Sequence, residues 1–357
     1  MSKRMQGLLL PLLAIITGLI LGGIIMWISG YKPLNAYIAL FQGAFGNSVF
    51  IANTIAGAIP LIFTSLGIAI AFRTGLFNIG AEGQYWVGAM VGVWIGYHFS
   101  SLPWYLHIPF ALVGAMLAGG LWGGVIPGLA KAYVGAHEVI TTMMMSYIAI
   151  LIGHFMLERG PMMAPGFNPQ SLPVTATATL PILVSNSNLS TGLYIALAAI
   201  VIVYLLLFYT SFGYRLRTVG YNPMAARYAG MKVPLYTIYS LGLSGVFAGL
   251  GGAVQMMGVD HQLTDTFSSG YGYTAIVVAL LARNNPIGIL FASIFFSALS
   301  TGSQVMQINS GVSPNMTDVI TGVIIFFVAT DKLYSYFRGR FRRIEKSPSE
   351  HKGVSVS

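Results

Sequence analysis

Apolar runs, broken by short polar interruptions, recur along almost the whole chain. A helix needs about 20 apolar residues to cross about 30 Å of hydrocarbon. On that measure the pattern predicts spanning helices over 8–28, 49–72, 85–99, 105–130, 139–157, 193–209, 235–257, 273–281, 287–305 and 319–333. Two of these ten, 85–99 and 273–281, are short, and each adjoins a glycine-rich polar stretch. They occupy the first and second halves of the chain. Paired short or glycine-interrupted segments in corresponding halves mark a midplane pathway in transporters; the plainer alternative is two tilted helices in locally thinned bilayer.

Composition sharpens the class. Of 357 residues, 55% are hydrophobic and 8% are charged, against about 25% charged in a soluble domain. The expected fold is therefore an all-α polytopic membrane protein, since only helices and closed barrels satisfy their backbone groups in lipid. The run 8–28 follows Lys3 and Arg4 as a secretory signal would, but it is long for a signal core and no A-x-A cleavage pattern follows, so it is expected to remain as a span. Cysteine is absent, which excludes disulfides and thiolate-held metals. The sequence His137-Glu138-Val139-Ile140-Thr141 lacks the second histidine of a zinc motif.

The net charge of +9 would point to nucleic acid in a soluble chain. Here its distribution sets the topology instead, and no nucleic-acid partner is expected. With the N-terminus in the cytoplasm, Lys3, Arg4, Arg73, Lys131, Arg215, Arg217, Arg227, Lys232, Arg283, Lys332 and the cluster Arg338, Arg340, Arg342 and Arg343 all fall inside, and only Lys32 and Arg159 fall outside. The positive-inside rule thus supports about ten spans with both termini cytoplasmic. The expected organisation is a transmembrane domain over 1–333, with an extracytoplasmic proline-rich loop at 158–191, a cytoplasmic loop at 211–234 and a basic cytoplasmic tail at 334–357.

Glycines spaced by four, as at Gly88, Gly92 and Gly96, Gly120, Gly124 and Gly128, and Gly245 with Gly249, predict close helix packing in lipid. Gly249–Gly252 does not complete a dinucleotide-binding motif, because position 254 is Val.

The most unusual stretch is 72–89, FRTGLFNIGAEGQYWVGA, which places Arg73, Asn78, Glu82 and Gln84 between two apolar runs. Irregular polar backbone at membrane depth is tolerated only inside protein or beside water. Phe77, Asn78, Glu82, Gln84 and Tyr85 are therefore expected to line a pathway, where amides beside aromatic rings suit a solute with hydroxyls and an apolar face. The sober readings are an Arg73–Glu82 ion pair and an Asn78 helix cap. A second polar cluster on the outer side, Asp260, His261, Thr264 and Asp265, is a candidate contact for another subunit, and Asp318 is a third, structural candidate.

Between the sixth and seventh predicted spans, Asn222 suits an N-cap, Pro223 the first helical position and Gly230 the position after the end. That predicts a helix of about two turns on the membrane surface, with small Ala225 and Ala226 allowing close packing and Arg227 offering a polar contact. An alternative is a loop holding phospholipid headgroups through its arginines.

The pattern G-x-N-x-x-A-A-x-x-x-G, at Gly220, Asn222, Ala225, Ala226 and Gly230, resembles the coupling segment of ABC importer permeases. The branch is that of branched-chain amino acid, ribose and other simple-sugar permeases. Within it, FNIGAEGQ at 77–84 is similar to the version in nucleoside and simple-sugar permeases, and the resemblance covers roughly 49–331. It implies the ABC importer permease fold in a multi-pass protein of the cytoplasmic membrane. It also implies a second homologous permease, an ABC ATPase subunit and an extracytoplasmic solute-binding protein, often a lipoprotein. The coupling segment would receive movement of the ATPase. No G-x-x-x-x-G-K-[ST] loop occurs in the chain, so ATP is expected on the partner and no cofactor or metal here. Nucleosides lead as substrate, then simple sugars, then branched-chain amino acids. An ion-coupled transporter is the rival from another class; it needs carboxylates at depth, for which Glu82 and Glu138 are the candidates. A channel or a membrane enzyme fits less well, for want of a filter sequence or paired carboxylates.

Overall fold

The computed structural model describes residues 3–166, 168–268 and 270–329. Thirteen α-helices follow one another among them: α1 Lys3–Ile28, α2 Pro33–Phe45, α3 Ser48–Arg73, α4 Ala81–His98, α5 Trp104–Gly123, α6 Glu138–Glu158, α7 Gly192–Tyr209, α8 Ser211–Tyr221, α9 Pro223–Tyr228, α10 Val233–Gln255, α11 Tyr271–Leu281, α12 Pro286–Ser310 and α13 Asn315–Ala329. Wider π-type turns extend α5 through Gly124–Gly128 and Ala130–Val134, and α10 through Met256–Asp260. The expected basic tail, with Arg338, Arg340, Arg342 and Arg343, lies outside the described residues, as does Lys332.

Two compact units result. One contains α1 and α13, where Gly18 lets the helices approach so closely that a Cβ would run into Ile324. The other spans Leu34–Pro314. Its centre is α3, mostly apolar and buried from Ala56 through Ala71 apart from Gly57, as expected of a helix with neighbours on every side. Asn47 starts it by accepting the Phe50 N–H at 2.8 Å. Helix α10 packs against α3, α4 and α5, α6 lies beside α4, and α11 and α12 lie beside α3.

The glycine spacing is realised as backbone contact. A Cβ on Gly88 of α4 would meet the Gly249 backbone of α10, and one on Gly119 of α5 would meet the Gly245 carbonyl. Lipid supplies no hydrophobic drive between helices, so this close approach is what binds them.

Six of the described helical segments are long and apolar enough to cross a membrane: Ser48–Arg73, Trp104–Val134, Glu138–Glu158, Gly192–Tyr209, Val233–Asp260 and Pro286–Ser310. Leu13–Ile28 and Tyr271–Leu281 are shorter apolar helices. Helices α2 and α8 are additions to the sequence-based expectation, the first sitting where only a connection had been predicted. The proline-rich loop is ordered through backbone pairing: Ser171 N–H donates to Leu263 O, Val174 N–H to His261 O and Leu180 N–H to Met257 O, each at 2.8 Å.

Candidate functional site

The chain leaves α3 through a left-handed Gly75, φ 75°, and re-enters at α4 after four irregular residues and Gly80. Asn78 is fully buried there. Its Nδ2 donates to Gln84 Oε1 at 2.9 Å and to Ser244 Oγ of α10 at 2.8 Å, while its Oδ1 accepts the Gly80 N–H at 2.9 Å. Asn78 is thus not the N-cap, which is Gly80, but folds the entry turn two residues earlier. Helix α6 holds the same turn, with Thr142 Oγ1 accepting Ile79 N–H at 3.2 Å and Ser146 Oγ accepting Gly83 N–H at 3.0 Å.

Glu82 is 2% exposed. Its carboxylate accepts from Ser268 Oγ and, at 2.6 Å, from the Gly272 N–H in the first turn of α11. A carboxylate suits a helix N-terminus because free N–H groups and the helix dipole both favour negative charge there. The two short segments that sequence placed in corresponding halves of the chain, α4 and α11, therefore meet at their beginnings.

The alternative Arg73–Glu82 ion pair does not form. Arg73 Nε donates to the Asn284 carbonyl at 3.2 Å, and the guanidinium lies over the Phe208 ring, 5.2 Å from its centroid. Charges nine residues apart in sequence are kept apart because α3 ends before the chain turns back. The one ion pair among the described residues is Lys131–Glu138, at 2.9 Å.

Asn78, Glu82, Gln84 and Tyr85 are gathered in one buried region, and Phe77 is not. Phe77 packs against Phe72, ring centroids 4.8 Å apart, and is 37% exposed. Sequence reasoning missed the hydroxyls that receive the polar groups: Thr142, Ser146, Ser244 and Ser268. A lone serine or threonine in an apolar helix carries no local signal, since it can bond its own backbone a turn earlier.

The segment with the coupling-like pattern has the predicted local form. Asn222 Oδ1 accepts the Ala225 N–H at 3.1 Å, Pro223 opens α9, Met231 N–H donates to Ala226 O at 3.0 Å, and Gly230 takes φ 78°. Ala226 is its buried residue; Ala225 and Arg227 are exposed, and so are the large side chains Tyr221, Met224 and Tyr228. Gly220, just before it, packs directly on Arg73, Thr74 and Gly75. The two regions singled out from sequence are therefore in backbone contact.

Asp260 is exposed and accepts from Gln255 Nε2 at 3.1 Å. His261 takes a left-handed φ of 56°, and Asp265 is half-buried. Loop 170–174 covers the backbone of 261–264, with a bridge between Gln170 and Thr264. An apolar groove of about 300 Å³, lined by residues including Val87, Trp94, Trp122 and Met156, offers almost no polar surface.

Residues 50–329 match the family model described as branched-chain amino acid transport system / permease component. The chain belongs to this permease family. It is a multi-pass membrane protein of a transport system. Among curated relatives, it is 39% identical to the guanosine ABC transporter permease protein NupP of Bacillus subtilis, over 96% of this chain and 99% of that one. It is 36% identical to the nucleoside ABC transporter permease protein NupB of Lactococcus lactis, over 99% of both. It is 32% identical to the glucose ABC transporter permease protein TsgB13 of Haloferax volcanii, over 92% of this chain and 88% of that one. The first two organisms each also hold a more distant match, NupQ and NupC, named for a transporter of the same substrate class. No solved structure matches the chain significantly.

Proposed function

We propose that this permease is the transmembrane subunit of an ABC importer that carries nucleosides across the cytoplasmic membrane, with ATP bound and hydrolysed by a separate subunit. The observation that carries the reading is full-length similarity to permeases named for guanosine and nucleosides. It is joined to a capped surface helix, α9, most of whose residues are exposed among the described residues.

In this reading α9 receives the ATPase, a second permease of the same family completes the pathway, and an exported binding lipoprotein delivers the solute near Asp260, His261 and Asp265. Lipid surrounds the apolar faces. Both termini are cytoplasmic and about ten segments cross the bilayer, α1, α4, α11 and α13 joining the six long ones. Motion of α9 passes through Gly220 to Gly75 and so to the turn that holds Asn78 and Gln84. Phe77, Asn78, Glu82, Gln84 and Tyr85 line or gate the route.

Simple sugars are the second reading, favoured by the glucose permease among the relatives. Uptake of labelled guanosine, uridine and glucose by a deletion strain, with and without the restored gene, decides between them. Restored nucleoside uptake that fails on ATP depletion but persists with a protonophore is the expected result. Restored glucose uptake alone would transfer the assignment to sugars.

A further inference from the structure

The bonds made by Asn78 and Glu82 leave a second feature nearby unexplained. Among the described residues, three side chains on α3, α4 and α10 each bury a hydrogen-bonding atom without a partner: Thr64 Oγ1, Tyr85 OH and Gln255 Oε1. Thr64 and Tyr85 are 0% exposed and Gln255 is 7% exposed. Each unmade bond costs about 1–3 kcal/mol, and native interiors hold few of them.

The three come from adjoining surfaces. Gly251 of α10 faces Thr64, whose Oγ1 would lie 3.2 Å from an added Cβ, and Gly252 faces the backbone of Tyr85. Gln255 stands one turn further along the same side of α10. Its Nε2 is committed to Asp260 at 3.1 Å, so its free group is the carbonyl, an acceptor.

An aromatic stack completes the region. The Tyr85 ring lies parallel to that of Phe267, centroids 5.5 Å apart and 6° between planes, with Tyr271 at 5.9 Å. Trp86 meets Phe267 edge-on at 4.4 Å. Tyr85, Trp86 and Tyr271 belong to helices, whereas Phe267 belongs to the irregular stretch between α10 and α11. Phe267 is therefore the ring that can leave the stack without unwinding a helix.

We infer that this cluster is a substrate site within the pathway. A nucleobase replaces the Phe267 ring on Tyr85, and Gln255 Oε1, the Tyr85 hydroxyl and the Thr64 hydroxyl take up hydrogen bonds from base and ribose. The inference rests on the nucleoside reading above. Exchanging one stacked ring for another is nearly balanced, since base–aromatic stacking is worth about 1–3 kcal/mol. The hydrogen bonds then supply discrimination, while the site stays weak enough to release its cargo. Ser268, next to Phe267, is held by Glu82, so displacement of Phe267 also pulls on the contact between α4 and α11.

The test uses the assembled importer, with its ATPase and binding protein, in proteoliposomes. Maximal ATP-driven uptake rates of guanosine and uridine are compared for wild type, Tyr85→Phe and Gln255→Leu. Saturating solute removes the binding protein's own preference, and damaged packing slows both substrates alike. Loss of one hydrogen bond made to one nucleoside and not the other shifts the ratio of rates by about 3- to 10-fold. Photolabelling of the wild type with 8-azidoguanosine gives a second reading that needs no variant. Label on peptides containing Tyr85 or Phe267, blocked by unlabelled guanosine, is expected. An unchanged ratio in both variants, or label confined to other helices, overturns the site while leaving nucleoside import standing. A wild-type importer that moves glucose and neither nucleoside defeats the functional reading, and the site with it.

Discussion

Gly220 and Gly75 lie backbone against backbone, so close that a Cβ on Gly220 would sit 2.8 Å from the Thr74 carbonyl carbon and 2.9 Å from the Gly75 nitrogen. This contact joins the segment before α9 to the turn that carries Asn78. A methyl group there must push the two segments apart, at a cost of about 1–3 kcal/mol. Gly220→Ala is expected to lower ATP-driven uptake severalfold while the ATPase still co-purifies, because the exposed face of α9 is untouched. Wild-type uptake by this variant would show that no motion passes through the contact.

Asn78 connects three elements at once: the turn itself, Gln84 of α4 and Ser244 of α10. Asn78→Ala leaves the Gly80 N–H and the Gln84 carbonyl short of a buried partner, each orphan costing about 1–3 kcal/mol. Transport is expected to fall while assembly with the ATPase persists. Thermal unfolding in detergent of Asn78→Ala, Ser244→Ala and the double variant checks the geometry. Groups in contact are non-additive by about 0.5–3 kcal/mol; simple additivity would mean that the Asn78–Ser244 bond contributes nothing.

How much of this was legible beforehand depends on how far apart the partners are in sequence. Helix α9 was readable because Asn222, Pro223 and Gly230 act on backbone within a few residues of themselves. Asn78, Glu82 and Gln84 stood out because polar groups are costly in an apolar chain. Their partners did not, being separated by 63 residues for Gly83 and Ser146, 166 for Asn78 and Ser244, and 190 for Glu82 and Gly272. The Arg73–Glu82 alternative failed for the same reason: nearness in sequence stood in for nearness in space. Helix α2, at 13 residues, was not predicted.

Glu82 separates the ATP-driven reading from its ion-coupled rival. As a cap on α11 it needs acceptor oxygens and no exchangeable proton, so Glu82→Gln, which keeps one carbonyl for the Gly272 N–H, should retain a substantial part of wild-type uptake. Glu82→Ala strands both Ser268 and the helix terminus and should lose most of it. An ion carrier behaves otherwise: Gln would be as inactive as Ala, and wild-type uptake would collapse with a protonophore. Parallel uptake assays with the two variants and the protonophore distinguish these outcomes.

Ala225 and Ala226 are neighbours in α9 with opposite surroundings, the first exposed and the second buried. A glutamate at 226 must be accommodated in a packed interior without a partner, the kind of change that costs several kcal/mol. Ala226→Glu is therefore expected to reduce the amount of folded permease in the membrane. Ala225→Glu meets no such obstacle among the described residues, and its expression and thermal stability should match wild type. Its cost appears only where another surface packs against α9: the ATPase should fail to co-purify and uptake should be lost. Full complementation by Ala225→Glu would remove α9 as the docking helix and return ion-driven transport to contention.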